Sequence, residues 1–361
     1  FTFTPTSRGK YTAKYTDVHY YYFSYTANGT RHYIKKQNVH EGNVDFGDLF
    51  QLTVYKSTYQ TPDFLKGGVM YQIFPDRFCK SGKVHEGVPA DRVMREWGET
   101  PYYKPDENGH VWNNDYFGGD FAGIQSKLPY LHDLGVTCIY LNPIFEAHQN
   151  HRYNTADYME VDPILGGDDA LAYLAKKAEE YGIKLMLDGV FSHTGDDSVY
   201  FNKYGRYGKG GAYNDQNSPY FGWFKFRNWP NQYHSWWGIS TLPETIEENE
   251  DFDRFITGEN GVIRYWMKRG VKGWRLDVAD ELSDEFISLI KKVLNKHNKE
   301  SVLYGEVWED ASNKESYGVR RRYLTGGQLD SVMNYPFKEA ILNYCKYADP
   351  RAFRDSILTI M

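Results

Sequence analysis

The feature that most restricts this fold is a series of short apolar runs separated by longer amphipathic stretches. The runs are Val69 to Phe74, Val136 to Leu141, Ile183 to Val190, Gly273 to Val278, Val302 to Val307 and Leu329 to Met333. Runs of this length, with a polar residue emerging at the C-terminal end, suit a parallel sheet buried on both faces. The stretches Phe121 to Leu134, Asp168 to Tyr181, Glu259 to Arg269 and Ser283 to His297 suit the crossover helices that parallel strands require. A doubly wound sheet and a barrel both fit this alternation. The barrel is favoured because Asp188, Asp277 and Glu306 each close a different run. In a barrel all strand C-termini meet at one mouth, whereas in an open sheet they spread along an edge. The expected fold class is therefore α/β, a (β/α)8 TIM barrel in residues 61–361, incomplete because only about six strands are present.

Two further segments flank or interrupt the barrel. In residues 1–60, Val18 to Tyr25 and Arg31 to Ile34 read as strands around Asn28-Gly29, a strong hairpin signal, and Phe50 to Tyr55 reads as another. So few strands cannot bury two faces, so a partial N-terminal β-sandwich is expected there. Between the third and fourth runs lie about eighty residues, far beyond an ordinary connection. The part over 193–250, rich in Tyr, Trp, Asn, Gly and Pro, is expected to form a loop subdomain over the barrel mouth.

Composition narrows the partners. A net charge of −6 with no cluster of Lys and Arg interleaved with aromatics excludes a nucleic-acid groove, and no apolar run is long enough to span a membrane. The 17% aromatic content, with 32 Tyr and 9 Trp, suits neutral carbohydrate, whose CH faces and hydroxyls are gripped by amphipathic rings and by carboxylate or amide acceptors. Cys79, Cys138 and Cys345 have no metal-ligand or disulfide spacing and are expected to be buried free thiols. The chain opens at Phe1 with no charged-then-apolar leader, so its natural N-terminus is expected further upstream.

The chemistry concentrates at the acidic strand ends. Residues two apart on a strand share a face, so Arg275 and Asp277 lie together with Leu276 turned away. A guanidinium beside a carboxylate favours the ionised form that a nucleophile needs, although an isolated pair of this kind is more often a plain ion pair. One unit later, Glu306 is followed by Val307 and Trp308, and partial burial suits a proton donor. Carboxyls on neighbouring strands can approach the roughly 5–5.5 Å that a retaining double displacement of a glycoside requires. Asp188 is placed to orient Arg275, His193 to bond a sugar hydroxyl, and a ring in His151 to Tyr158 to stack under a sugar.

These residues together resemble the α-amylase superfamily of glycoside hydrolases (glycoside hydrolase family 13), in its neopullulanase, cyclomaltodextrinase and maltogenic-amylase branch. The resemblance runs from about Gly68 to about Tyr347. It is carried by Val69 to Phe78, Phe117-Gly118-Gly119-Asp120, Asp188 to His193, Gly273 to Glu281, Gly305 to Trp308 and Leu329 to Tyr335. It implies Asp277 as nucleophile, Glu306 as acid/base and Arg275 as the positioning cation. It also implies that Tyr153 and His193 hold the sugar at the cleaved bond and that Trp236 and Trp237 line the groove. The implied activity is retaining hydrolysis of α-1,4-glucosidic bonds in maltooligosaccharides, cyclodextrins, pullulan or starch. A transglycosylase or isomerase of the same superfamily, or a non-catalytic sugar-binding relative, are the alternatives.

Three departures qualify the resemblance. Ser192 stands where the family usually has Asn, and Cys79 to Lys83 offers few oxygens where the branch has a calcium loop. Calcium is therefore not required, and the residues left to hold it would be Gly118 and Asp120. Ala279-Asp280-Glu281 replaces the branch's Ala-Asn-Glu. The family's third carboxylate would lie beyond Met361, so the expectation is a longer polypeptide, or a barrel completed by a second chain; a homodimer is open as well. Free thiols and the branch resemblance point to a cytoplasmic protein, with secretion left open by the start of the chain.

Overall fold

The computed structural model describes residues 17–360; residues 1–16 of the expected N-terminal module lie outside them. The chain forms two compact units, one of Thr61–Glu306 with Leu329–Met333, the other gathering the chain up to Gln60, Val307–Gln328 and Asn334 onwards.

The larger unit is organised by a six-stranded sheet: β1 Val69–Ile73, β2 Val136–Leu141, β3 Lys184–Gly189, β4 Gly273–Leu276, β5 Val302–Val307 and β6 Ser331–Asn334. The strands follow one another across the sheet in chain order, and the pairs from β1 to β5 are parallel. A doubly wound sheet reverses its order at a switch point. This one does not, and it forms a half-barrel wall.

Two-residue periodicity sorts each strand. Ile139, Leu141, Leu185, Leu187, Trp274, Leu276 and Leu303 are fully buried and alternate with the inward set. Cys138, Tyr140, Met186 and Val302 form one buried cluster, against which Met70, Tyr304 and Met333 pack. Close packing explains Gly273, where a Cβ would stand 2.1 Å from Val302 Cγ1 and 2.9 Å from the Val302 carbonyl oxygen.

The crossover helices are α1 Phe121–Ser126, α2 Leu128–Asp133, α3 Gly167–Glu180, α4 Glu250–Thr257, α5 Val262–Lys268 and α6 Asp284–His297. The single helix expected over Phe121 to Leu134 is two, separated at Lys127. Pro129 has no N–H to continue the ladder but suits a first helical turn. Helix α6 begins where Ser283 accepts from the Phe286 N–H, an N-cap, and ends in Lys296 and His297.

The long segment after β3 leaves and returns along itself. Thr194 N donates to Pro243 O at 3.1 Å, Asp196 N to Thr241 O at 2.9 Å and Thr245 N to Ser192 O at 3.0 Å. Within it Tyr200, Phe201, Trp223 and Phe224 are buried against one another. Its ends are thus tied beside the strand end that carries Asp188.

In the smaller unit Asp17–Tyr21 pairs with Phe50–Val54, and Phe23–Ala27, Thr30–Lys36 and Gly42–Val44 form a separate antiparallel sheet. The strand expected as continuous from Val18 to Tyr25 therefore changes sheets at Tyr22. Asn28 and Gly29 both have positive φ, 51° and 78°, the turn their sequence specifies. Helices α7 Tyr335–Tyr347 and α8 Pro350–Thr359 close this unit. All three cysteines are free, but only Cys138 is buried; Cys79 is half-buried and Cys345 exposed, which corrects the expectation of three buried thiols. No described helix is long and apolar enough to cross a membrane.

One buried ion pair ties α6 to the turn before β6: Lys291 Nζ lies 2.6 Å from Asp330 Oδ2, which also accepts from Leu303 N at 2.7 Å. Asp330→Ala leaves the Lys291 charge buried without that partner, a change that costs about 3–5 kcal/mol. Urea unfolding should show a midpoint lowered accordingly with an unchanged slope.

Candidate active site

Strand register brings the acidic ends together. Asp188 pairs with Arg275 across β3 and β4, and Leu276 pairs with Gly305 across β4 and β5. The next residue on each of these two strands is Asp277 and Glu306, which are therefore neighbours. Arg275 Nη1 donates to Asp188 Oδ1 and to Asp277 Oδ1, both at 2.7 Å. Its Nη2 lies 2.7 Å from Glu306 Oε2. One guanidinium thus binds three carboxylates on three consecutive strands, all of them buried.

The backbone after Asp277 completes the group. Val278 has φ 34°, a left-handed conformation that a β-branched residue rarely adopts. In that conformation its N–H donates to Glu306 Oε2 at 2.9 Å. Asp188 Oδ2 receives the hydroxyls of Tyr140 and, at 3.1 Å, Tyr153. Tyr153 is presented by Arg152, whose buried guanidinium donates to Asp162 Oδ2 at 2.8 Å and to Asn150 O at 3.0 Å.

Burial and charge oppose each other here. Burial pushes the Asp277 carboxyl up to about 7; Arg275 pulls it down, and Asp188 and Glu306 push it up again. Burial raises Asp188 as well, against Arg275 and the two tyrosine hydroxyls. Arg275 favours the ionised form of Asp277, but a single cation shared among three buried acids does not offset the desolvation of that carboxyl.

The family profile described as the α-amylase catalytic domain matches residues 72–356. The chain belongs to the α-amylase catalytic-domain family. It is 38% identical over 330 residues to an amylopullulanase of Thermoanaerobacter thermohydrosulfuricus, covering 82% of this chain and 22% of that one. It is 34% identical over 297 residues to a cyclomaltodextrinase of Thermoanaerobacter pseudethanolicus, covering 80% and 46%. Among solved structures, the cyclic α-maltosyl-(1→6)-maltose hydrolase of Arthrobacter globiformis superposes with a TM-score of 0.69 at 28% identity, covering 83% and 63%. The chain spans less than half the length of these two curated relatives.

Other expected site residues of this α-amylase-family domain are placed as follows. His193 is buried, with Nε2 3.0 Å from Tyr153 O and Nδ1 3.0 Å from Ser192 Oγ, so both ring nitrogens already have protein partners. Trp236 packs against His193 and stacks on Trp237 with centroids 4.5 Å apart and planes 6° off parallel. Trp237 has φ 51°, is 56% exposed, and donates through Nε1 to Glu281 Oε1 at 3.0 Å. Tyr140 and Asn142, which donates to the Tyr153 hydroxyl at 3.3 Å, were not singled out from the sequence, and Glu281 entered there only as the end of Ala279-Asp280-Glu281. Tyr140 alone carried a signal, because it occupies an inward position of β2 in register with Met186.

Gly118 and Asp120 serve the chain itself. Asp76 Oδ1 accepts from Phe117 N and Gly118 N, both at 3.0 Å, and a Cβ on Gly119 would stand 2.2 Å from Pro75 O. Asp120 Oδ1 accepts from Gly123 N at 2.7 Å; its Oδ2 is bonded to Ser81 Oγ and lies 2.8 Å from His85 Nε2. With both carboxylate oxygens engaged, these residues do not form the open oxygen shell a hard cation takes. Among the described residues no cluster of three or more His, Cys, Asp or Glu is placed to hold a metal.

The raised Asp277 carboxyl makes stability fall with pH. The unfolded chain releases that proton near the ordinary value of 3.8 and the folded one near 7, so the folded state holds more protons in between. Its contribution is complete below about 3.8 and lost as pH rises through about 7. Asp277→Asn should therefore raise Tm by about 2 °C or more at pH 8 and have little effect at pH 4. A higher Tm at pH 4 alone would contradict the sign.

Proposed function

We propose that this domain is the catalytic part of a retaining α-glucan hydrolase on a (β/α)8 barrel, cleaving α-1,4-glucosidic bonds in maltooligosaccharides, cyclodextrins, pullulan or starch. The observation that carries the reading is the single Arg275 guanidinium bonded to both Asp277 and Glu306. One guanidinium holding both carboxyls favours the short spacing of a retaining pair over the wider spacing of an inverting one.

In this reading Glu306 protonates the departing glycosidic oxygen while Asp277 attacks the anomeric carbon, forming a covalent glycosyl-enzyme. Glu306 then takes a proton from the water that releases the sugar as the α-anomer. Arg275 and Asp188 hold Asp277 in line, and the Tyr153 ring offers a stacking face beside them. Binding of a neutral sugar brings donors to the buried acids, which favours ionised Asp277.

Transglycosylation is the second reading. It is favoured by Trp237, an exposed ring held in a left-handed conformation with Glu281 fixing its Nε1. A second sugar stacked there competes with water for the glycosyl-enzyme. The substrate classes follow the relatives' names, and the alternative of a non-catalytic binder has no feature in its favour.

Full-length protein carrying Asp277→Asn or Glu306→Gln should lose about 10³-fold or more in kcat on cyclodextrin or pullulan with its fold intact. Proton NMR during wild-type turnover should show α-anomers first; β-anomers first would exclude retention. The acid limb of the wild-type kcat/KM profile should fall near pH 7 rather than near 4, since Asp277 must ionise before it attacks.

A further inference from the structure

A cavity of about 370 Å³ lies in the larger unit away from the Arg275 contacts, walled by Trp112, Tyr204 and Arg206, with Asn154, Asp196 and Asp197 among its lining. None of these residues bonds Arg275 or the carboxyls around it. Tyr153 serves that catalytic group, whereas its neighbour Asn154 lines the cavity.

Its polar groups are incompletely served. Asp196 Oδ2 is matched by Lys203 Nζ at 3.3 Å and the Tyr204 hydroxyl at 3.1 Å, and Arg206 is matched by Asp91 at 3.2 Å. By contrast, Asn154 and Asp197 are 4% and 9% exposed, and the Oδ1 atom of each is buried with no hydrogen-bond partner. Native proteins seldom leave such acceptors unmatched. The terminal torsion of Asn and Asp is soft, and both side chains line the cavity. Across from them Trp112 is 53% exposed; its Nε1 donates to Asp106 Oδ2 at 3.0 Å and His110 packs 4.3 Å away, which fixes the ring in place.

What Asn154 Oδ1 and Asp197 Oδ1 lack is donors, and what the cavity offers beside them is an aromatic face. A metal ion suits it poorly, because Asp196 is already paired, Arg206 and Arg92 contribute positive charge at Asp197, and burial lifts Asp197 to about 7. A neutral ligand rich in hydroxyls matches both features. We propose that this cavity is a second glucosyl-binding site, separate from the catalytic carboxyls, in which a pyranose ring lies on Trp112 and its hydroxyls donate to Asn154 and Asp197. That the sugar is an α-glucan unit rests on the function proposed above. Such a site holds a polymeric substrate by a second contact, raising the effective concentration of chain at the catalytic group.

The test uses full-length protein, with insoluble starch as the polymeric probe and maltotriose as the short one. Trp112→Ala should lower starch adsorption at least 5-fold and change kcat/KM on maltotriose less than 2-fold. Asp197→Ala, with folding checked by Tm, should repeat the loss of adsorption. Unchanged adsorption in folded samples of both variants overturns the site, as does a parallel collapse of kcat/KM on maltotriose, which would merge the cavity with the catalytic cleft. Glu306→Gln separates this claim from the catalytic one. Activity lost there while adsorption ignores Trp112→Ala sinks only the second site; activity intact there while Trp112→Ala abolishes adsorption sinks only the catalytic assignment.

Discussion

The guanidinium of Arg275 holds the centre of the half-barrel together. Asp188, Asp277 and Glu306 come from three strands and would repel one another if left unpaired; each finds an Arg275 nitrogen at 2.7 Å. The arrangement fixes the register of β3, β4 and β5 as firmly as their backbone ladder does, because slipping one strand by a residue turns its acid out of the barrel. It also leaves more negative charge than one cation cancels. Burial first, and the neighbouring Asp188 and Glu306 charges after it, push the Asp277 carboxyl up against the pull of Arg275. A core built only for stability would replace such a group with apolar side chains, and its presence here fits the catalytic role proposed for these carboxyls.

That centre was legible in the sequence to the extent that strand period decides it. Gly273-Trp274-Arg275-Leu276-Asp277 places Arg275 and Asp277 on one face with no knowledge of the rest, and the strand order then supplies Asp188 and Glu306 as neighbours. The hairpin at Asn28-Gly29 was equally local. Other features depend on residues distant in the chain. Tyr140 reaches Asp188 only through the pairing of β2 with β3, and the left-handed turns at Val278 and Trp237 run against the preference of both residues. The Asp277 shift reflects burial summed over many segments. The break at Lys127 is a different case: Pro129 announced it, and the apolar periodicity of Phe121 to Leu134 masked it.

The segment around Asp76 and Asp120 shows why a motif does not transfer its ligands along with its fold. Phe117-Gly118-Gly119-Asp120 is needed here for backbone reasons: Gly119 passes too close to Pro75 for any side chain, and Asp120 caps α1. Ser81 and His85 are bonded to the second oxygen of that carboxylate, so both of its oxygens are engaged by the protein's own groups. The close approach at Gly119 and the helix start at Asp120 give these residues a backbone role of their own.

The insertion after β3 connects these local facts to the substrate side of the site. Its two ends are zipped together at Ser192 to Asp196 and Thr241 to Thr245, so its aromatic core is fixed directly to the strand that ends in Asp188. From that anchor a run of contacts proceeds from His193 to the Trp236 ring, to Trp237 stacked upon it, and through the indole N–H to Glu281 beyond β4. The platform is therefore braced at both ends by elements that also carry Asp188 and Asp277, and in the proposed function a sugar stacked on Trp237 would be positioned relative to Asp277 by packed rings rather than by a free loop. Rigid presentation of this kind limits the entropy lost on binding to that of the sugar itself. It also explains why a residue as large as Trp is held at a positive φ: the neighbouring stack and the Glu281 bond over-determine a conformation the isolated backbone would not choose.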